Sequence, residues 1–214
     1  MDLSKLTEAA RKLLPLKYCG AVIVAAGNAS RMGGIDKVMA ELNGEPMIVR
    51  TVRTFQNCNA ISEIVIVTRP DLILPITELT QDMYKVKAVV AGGSSRQESV
   101  HLGLNALSRT VKLAAIQDGA RPLITWEVID RVVRAAHTHG AAIPCVPVKD
   151  TIKVDNGGVV ADTPDRATLF AAQTPQVFDF DLLRGALKKA EIDEYALTDD
   201  ASAVEYMGMK VKIV

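Results

Sequence analysis

The fold is decided by one stretch, Ala21-Val22-Ile23-Val24-Ala25-Ala26-Gly27-Asn28-Ala29-Ser30-Arg31-Met32, with Lys37 six residues after Arg31. The apolar run at its start predicts a buried strand, because it is too short to favour a helix. Ala25, Ala26 and Gly27 bring almost no side-chain bulk, so a ligand can approach the backbone there. N–H groups of such a loop bind phosphate oxygens, and Arg31 and Lys37 can neutralise a polyphosphate. The alternative is an ordinary strand-to-helix turn with two solvated cations.

Two common phosphate-binding motifs do not fit this loop. A P-loop requires Gly-Lys-Ser/Thr, whereas this chain has Asp36-Lys37-Val38. A dinucleotide fingerprint requires G-x-G-x-x-G, and alanine and methionine occupy the later glycine places in residues 27–32. The loop is instead similar to the AAGxGxRM…K signature of sugar-phosphate nucleotidyltransferases. More narrowly, it resembles that of the 2-C-methyl-D-erythritol 4-phosphate cytidylyltransferases, although Ala29 stands where a second glycine is usual.

The composition is typical of a globular protein with one domain. The chain has 214 residues, of which 49% are hydrophobic and 23% are charged. Its 25 basic residues equal its 25 acidic residues, so we expect neither nucleic acid nor a membrane as a partner. No apolar stretch approaches the length of a membrane span, and residues 1–17 lack a signal-peptide core. The three scattered cysteines favour reduced thiols, and together these features predict a cytoplasmic location.

Short β-branched runs alternate with helical patterns along the chain. Strands are expected at 21–25, 63–68, 86–91, 113–117, 142–148 and 211–214. Helices are expected at 46–56, 95–107, 127–139, 182–190 and 200–207, with a weaker helix at 71–83 that Pro75 interrupts. This alternation predicts an α/β fold with a Rossmann-like, mostly parallel sheet and helices on both faces. Because ligands bind at the carboxyl ends of such strands, the loops at 25–37, 92–99 and 118–122 should converge on one edge.

Residues 149–167 break the alternation and predict a protruding β-hairpin arm on a single nucleotidyltransferase domain spanning 1–214. Two β-rich segments, 151–154 and 159–161, flank Asp155-Asn156-Gly157-Gly158, in which Asn-Gly is a strong hairpin signal. A hairpin has little core of its own and needs a surface to pack on. We therefore predict that the arm packs on a second subunit of a homodimer, the alternative being a surface flap.

The second candidate loop is Gly92-Gly93-Ser94-Ser95-Arg96-Gln97-Glu98-Ser99-Val100. Two glycines after a strand allow close approach to the backbone, and the hydroxyls can cap the next helix. An ordinary capped helix start is the alternative. The segment resembles the family's GG-x-x-R-x-x-SV, and this resemblance implies that Gly93, Ser94 and Ser99 contact the cytosine base. An acidic residue is common in the family at the place of Ser94.

The third candidate loop is Asp118-Gly119-Ala120-Arg121-Pro122, in which a carboxylate and an arginine closely follow a strand. A salt-bridged turn is the alternative interpretation. The loop resembles the family's HDAARP or HDGARP, with Gln117 in the histidine place. By this resemblance Asp118 and Gly119 belong to the nucleotide site, with Asp118 near the ribose and the metal-bound triphosphate. Arg121 would support the site for the phosphorylated alcohol.

Four later motifs, each weak alone, follow in the order of the same family. They are Asp150-Thr151-Ile152-Lys153, Asp165-Arg166, Gln173-Thr174-Pro175-Gln176 and Thr198-Asp199-Asp200-Ala201-Ser202. They match the family's DT-x-K, DR, TPQ and TD-[ED]-AS. The resemblance implies that the sugar-alcohol phosphate is held by Thr151, Arg166, Thr174 and Thr198. Taken singly, Arg166 would be a solvated charge and Thr198 a helix cap.

The resemblance implies an enzyme that transfers a cytidylyl group from CTP to 2-C-methyl-D-erythritol 4-phosphate, releasing pyrophosphate, in isoprenoid precursor synthesis. Since the nucleophile is an anionic phosphate oxygen, no general base is needed, and catalysis consists of positioning and charge stabilisation. Arg31 and Lys37 are the expected catalytic residues, and Ala25, Ala26 and Gly27 would line the nucleotide. We expect no metal ligands from the protein, because Mg²⁺ would be held mainly by the CTP phosphates.

Two alternatives stay open at this point. One is a ribitol 5-phosphate cytidylyltransferase, which shares the loops and differs in the alcohol pocket. The other is a non-catalytic nucleotide-binding homologue. Family members continue beyond the place of Val214 with a segment carrying a further lysine, so a C-terminal segment is expected to be missing from this chain.

Overall fold

The computed structural model describes residues 18–27 and 36–214. Its strands are β1 (Cys19–Ala25), β2 (Glu41–Leu42), β3 (Glu45–Pro46), β4 (Ile61–Thr68), β5 (Val86–Ala91), β6 (Leu113–Asp118), β7 (Ala141–Ile143), β8 (Cys145–Pro147), β9 (Val154–Asn156), β10 (Val159–Asp162), β11 (Phe170–Ala172), β12 (Gln176–Asp179) and β13 (Lys212–Ile213). Its α-helices are α1 (Met47–Gln56), α2 (Ile73–Leu79), α3 (Arg96–Ala106), α4 (Trp126–His139), α5 (Phe180–Ile192) and α6 (Asp200–Tyr206). Short 3₁₀ helices lie at Pro70–Leu72 and Arg166–Thr168.

The main sheet of the described residues has the strand order β13-β7-β12-β6-β1-β4-β5. Strand β1 is parallel to both β4 and β6, and β4 is parallel to β5. Strand β12 runs antiparallel between β6 and β7, while β13 is parallel to β7. The predicted mostly parallel α/β sheet is therefore confirmed.

The sheet is covered by helices on both faces, as predicted. Side chains of β1 alternate: Ala21 and Ile23 pack in the cluster that includes α1 and α4, whereas Val22 packs in the cluster that includes α3, α5 and α6. This period of two is what the pleat of a strand buried on both faces requires. In the part of the chain that the structure describes, none of the helices has the length and apolarity that crossing a membrane requires.

Helix α3 packs unusually close to the sheet at Gly103. A Cβ there would lie 2.8 Å from Val67 Cγ2 and closer still to Val22 Cγ1. The absence of a side chain thus lets α3 lie directly on β1 and β4. This packing fixes the start of α3 at the carboxyl edge of the sheet, where the second candidate loop ends.

Two secondary-structure expectations were wrong, and four strands were not predicted. The strand expected at 142–148 is two strands, β7 and β8, in different sheets, because Pro144 between them has no N–H for a continuous ladder. Pro75 does not interrupt a helix, since it lies in the first turn of α2, where N–H groups have no intrahelical acceptor. The strands that were not predicted are β2, β3, β11 and β12.

The arm extends beyond the predicted residues 149–167 and spans residues 145–172. It consists of two antiparallel ladders, β8 with β11 at its base and β9 with β10 at its tip. A hairpin is present as predicted, but its first strand is Val154–Asn156 and not 151–154, and its turn is not centred on Asn-Gly. Asn156 pairs with Val159, so the turn residues are Gly157 and Gly158, with φ of 65° and 88°. A two-residue turn with positive φ at both positions matches the twist of the strands, and glycine adopts it without strain.

Candidate active site

The loops that follow β1, β5 and β6 meet at one edge of the sheet, as expected for parallel strands. The Gly92 N–H donates to the Thr68 carbonyl at 2.8 Å, and the Gly119 N–H donates to the Val24 carbonyl at 2.8 Å. A Cβ on Gly119 would lie 3.1 Å from the Ala25 Cβ. Gly119 therefore permits the first and third loops to touch.

The first loop is described on both sides of residues 28–35. Ala25 is buried, Ala26 is half-buried and Gly27 is exposed, so accessibility increases along the loop. The predicted catalytic Arg31 lies outside the described residues. Where the description resumes, Lys37 is exposed.

The neighbour of Lys37 anchors this turn. The Asp36 carboxylate accepts from the Val38 N–H at 3.1 Å and forms an ion pair with Arg69 at 2.7 Å. The Val38 carbonyl accepts from the Ile48 N–H at 2.9 Å, which joins the turn to α1. Lys37 thus projects from a segment whose backbone is held on both sides.

The second loop is held by its own side chains. Ser95 caps α3, accepting from the Glu98 N–H at 3.0 Å. The Ser99 hydroxyl accepts from the Gly93 N–H at 3.1 Å and donates to the Ser95 carbonyl at 2.9 Å. The Glu98 carboxylate accepts from both the hydroxyl and the N–H of Ser94, each at 2.7 Å, and these bonds lower the pKa of Glu98. Ser94 and Ser99, expected to contact a base, are therefore engaged within the loop in this structure.

A cavity of about 360 Å³ lies beside the third loop. Four residues expected from the sequence, Asp118, Arg121, Thr174 and Thr198, line it together. The complete lining is Arg96, Asp118, Arg121, Ala172, Gln173, Thr174, Gln176, Thr198 and Asp199. These residues come from loops far apart in sequence, which the sheet order brings to one place.

The carboxylate of Asp118 contacts two arginines, one at each oxygen. Arg121 Nε donates to Asp118 Oδ2 at 2.9 Å, and Arg96 Nη2 lies 3.4 Å from Oδ1. The same Arg96 nitrogen donates to Asp200 Oδ2 at 2.8 Å. Burial raises the pKa of Asp200, and Arg96 only partly offsets this. Burial disfavours the charged form of Arg96, but Asp200 and then Asp118 outweigh it and raise the pKa of the guanidinium.

Hydrogen bonds hold the start of α6 in place on the other side of the cavity. Asp199 caps the helix, accepting from the Ser202 N–H at 2.9 Å. Buried Gln176 donates to Asp199 Oδ2 at 2.7 Å and accepts from the Ala201 N–H at 2.9 Å. These bonds fix the backbone that presents Thr198 to the cavity.

Thr151 and Arg166 are the predicted substrate residues that the structure does not bring to this cavity. Both are exposed, and neither is part of the cavity lining. Arg166 Nη1 instead donates to the Lys149 carbonyl within the arm at 2.9 Å.

Sequence reasoning did not select Arg96, Gln173, Gln176 and Asp199 as site residues. All four stand inside motifs that the sequence analysis had identified, and the structure adds them to the cavity lining. Arg96 carried a usable signal, because a cation in the first turn of a helix is opposed by the helix dipole and calls for a carboxylate partner.

A Rossmann-like sheet with a polar cavity at its carboxyl edge is the arrangement expected of an α/β nucleotidyltransferase. The family described as 2-C-methyl-D-erythritol 4-phosphate cytidylyltransferase matches residues 19–214. The chain belongs to this family.

Relatives in sequence and in structure agree with this assignment. The protein of that name from Symbiobacterium thermophilum is 45% identical over 194 residues, covering 90% of this chain and 81% of its own length. That from Geobacillus kaustophilus is 43% identical over 197 residues, covering 91% of this chain and 86% of its own. The crystal structure of 4-diphosphocytidyl-2C-methyl-D-erythritol synthase from Anaerococcus prevotii aligns with a TM-score of 0.84 and 30% identity, covering 92% of this chain and 86% of that one.

Proposed function

We propose that this chain transfers the cytidylyl group of CTP to 2-C-methyl-D-erythritol 4-phosphate, forming 4-diphosphocytidyl-2-C-methyl-D-erythritol and pyrophosphate. The observation that carries the proposal is the family match over residues 19–214 together with the cavity in which Asp118, Arg121, Thr174 and Thr198 meet. The product serves isoprenoid precursor synthesis by the non-mevalonate route. The free thiols of Cys19, Cys58 and Cys145 support a cytoplasmic location.

The reaction requires positioning and charge stabilisation more than proton transfer. A phosphate oxygen of the alcohol attacks the α-phosphorus of CTP, a new P–O bond forms, and the bond to the β-phosphate breaks with its electron pair leaving on pyrophosphate. The attacking oxygen is already anionic, so no base is required. Lys37 and Arg31 stabilise the charge that develops on the triphosphate.

The nucleotide occupies the edge formed by the first three loops. Ala25, Ala26 and Gly27 leave room for the triphosphate beside the backbone, as Gly119 does from the third loop. The loop of Gly93, Ser94 and Ser99 reads the base after the bonds between Ser94 and Glu98 rearrange. Asp118 lies between the two ligands, near the ribose.

A magnesium ion fits this site when it is held mainly by CTP. The sequence predicted no metal ligand from the protein; Asp118, which is one-third exposed at the cavity surface, is a carboxylate that could add to the coordination by the phosphates. Within residues 18–27 and 36–214 no group of three His, Cys, Asp or Glu side chains is placed to hold a metal ion. One carboxylate together with substrate phosphates is a normal environment for Mg²⁺. The ion would neutralise triphosphate charge.

The phosphorylated alcohol binds in the cavity, and the arm completes it from a second subunit. Arg121, Thr174 and Thr198 supply one wall. The arm exposes several apolar side chains, which are Val146, Val154, Val159, Val160 and Phe170. Such a patch favours a protein partner. In a homodimer held by the arm, Thr151 and Arg166 reach the partner's cavity.

Pyrophosphate release with defined substrates tests the proposal. The expected result is release that requires CTP, Mg²⁺ and 2-C-methyl-D-erythritol 4-phosphate, with the product identified by its mass. Ribitol 5-phosphate is the matched acceptor, since it offers a similar phosphate on a different alcohol. Faster turnover with ribitol 5-phosphate, or none with either acceptor, would overturn the assignment.

A further inference from the structure

Arg96 is placed where the local structure does not favour it. It occupies the first position of α3, after the Ser95 cap, where the partial positive charge of the helix end repels a cation. Nothing about forming α3 therefore accounts for this arginine. Its contacts with two carboxylates from other elements, Asp118 and Asp200, account for its position.

The first of these carboxylates is hidden from solvent. Asp200 is the first residue of α6, its side chain is 2% exposed, and it contacts Arg96 Nη2 at 2.8 Å. A buried carboxylate is costly unless it is paired, so Asp200 gains a fixed partner and Arg96 gains an anchor. The Arg96 side chain itself is 40% exposed, and it lines the cavity.

The second carboxylate belongs to the site. Asp118 is held between Arg121, which contacts Oδ2, and Arg96, which contacts Oδ1. The other bond of the Arg121 guanidinium is to the side-chain amide oxygen of Gln173, which carries no charge. Arg96 is anchored from behind by Asp200, so it is the member of the pair that can fix the orientation of Asp118.

We propose that Arg96 and Asp200 are positioning residues for the cytidylyl transfer: buried Asp200 anchors the Arg96 guanidinium, which orients the carboxylate of Asp118 between the two substrates. This inference rests on the proposed function and assigns a role to two residues behind the substrate contacts. The pair also joins the start of α3, which follows the base loop, to the start of α6, which Thr198 precedes by two residues. Both substrate pockets are thereby held in one alignment.

A double-mutant cycle tests the proposal, because residues that act through one another give non-additive losses. Asp200→Asn keeps the shape and removes the charge, and we expect kcat/KM to fall about 10²-fold, as for a misplaced catalytic group. In the double variant Asp118→Asn/Asp200→Asn the loss should equal that of Asp118→Asn alone. Asp200→Glu is the conservative control, since the family motif allows Glu there, and it should restore most of the turnover. Arg134→Gln, which breaks the exposed ion pair with Asp130 on α4, should change neither turnover nor binding.

The affinity of the wild type, the single variants and the double variant for CTP is also measured by calorimetry, which does not depend on turnover. Losses that multiply in the double variant, or unchanged kcat/KM in Asp200→Asn, would overturn the positioning role. If Asp200→Asn proves insoluble, Arg96→Gln replaces it in the cycle with the same expected non-additivity. A wild-type protein that binds CTP without releasing pyrophosphate would contradict the proposed function, while the calorimetric cycle would still decide this inference. Failure of the wild type to bind CTP would overturn both.

Discussion

Substitution of Lys37 by alanine should impair catalysis without destabilising the fold. Lys37 is exposed, and the bonds that hold its turn belong to its neighbours: Asp36 to Val38 and Arg69, and Val38 to Ile48. Lys37→Ala therefore removes a charge without removing a contact between described residues.

The structure sets the expected size of both effects. A surface substitution away from packing and hydrogen bonds changes the free energy of unfolding by about 0.5 kcal/mol or less. Loss of a group that stabilises transition-state charge lowers kcat about 10²-fold to 10³-fold, or about 2.7–4 kcal/mol. Lys37→Ala should thus retain the stability of the wild type, while its kcat falls by about 10²-fold or more.

The assay measures pyrophosphate release at saturating CTP and alcohol phosphate, with urea denaturation on the same samples. Lys188→Ala is the matched control, because it removes an exposed lysine from α5, outside the cavity lining. Asp36→Ala is the structural comparison, and it should lower stability and turnover together. Turnover within about threefold of the wild type in Lys37→Ala would refute the catalytic role, since an effect that small is under 1 kcal/mol.

Four other predictions follow from the described residues. Deletion of residues 156–158 at the tip of the arm should weaken dimerisation without unfolding the main sheet, and light scattering that finds the intact protein monomeric at micromolar concentration would contradict the dimer. Arg166→Lys should weaken binding of the alcohol phosphate and leave CTP binding unchanged in calorimetry, because a lysine cannot reproduce bidentate phosphate contacts; equal losses for both ligands would mean that Arg166 is structural. Gly103→Ala should lower the free energy of unfolding by about 1–3 kcal/mol in urea titrations, because the new Cβ clashes with Val22 and Val67. This cost exceeds the gain of up to about 1 kcal/mol in helix propensity. A more stable variant would contradict the close packing. Burial raises the pKa of Asp200, so the wild type should lose stability relative to Asp200→Asn as the pH rises from about 4 through that raised pKa, and denaturation at a series of pH values measures the difference.

The sequence predicted the parts of the fold in which local pattern and tertiary structure agree. Strand β1 was recognisable because its apolar run is buried on both faces, and Ser95 was recognisable as a helix cap. Strand β12 was missed because its four residues are too few to establish a period. The strand expected at 142–148 failed because the apolar pattern continues through Pro144 while the hydrogen bonding does not.

The candidate site shows a similar division. Motifs located its loops, since each loop is a short continuous segment. The bond between Arg96 and Asp200 joins residues 104 positions apart, and no local pattern identifies which of several aspartates receives the arginine. Burial decides this pairing, and burial depends on how α3 and α6 pack over the same face of the sheet. Such contacts require the tertiary structure.

The charges of the cavity favour an arm that acts on a second subunit. Among its described lining residues, two arginines, Arg96 and Arg121, are opposed by two aspartates, Asp118 and Asp199, so the lining carries no excess positive charge for a phosphate dianion. The contact of Arg166 within the arm does not neutralise its charge, because the guanidinium donates there to the uncharged carbonyl of Lys149. The same arm exposes apolar side chains that a protein partner would cover. The homodimer proposed above would meet both conditions, because each arm would bury its apolar surface on the partner and would bring Arg166 to the partner's phosphate. A monomer would leave both unmet, so dimerisation and alcohol-phosphate binding should be lost together when the arm is shortened.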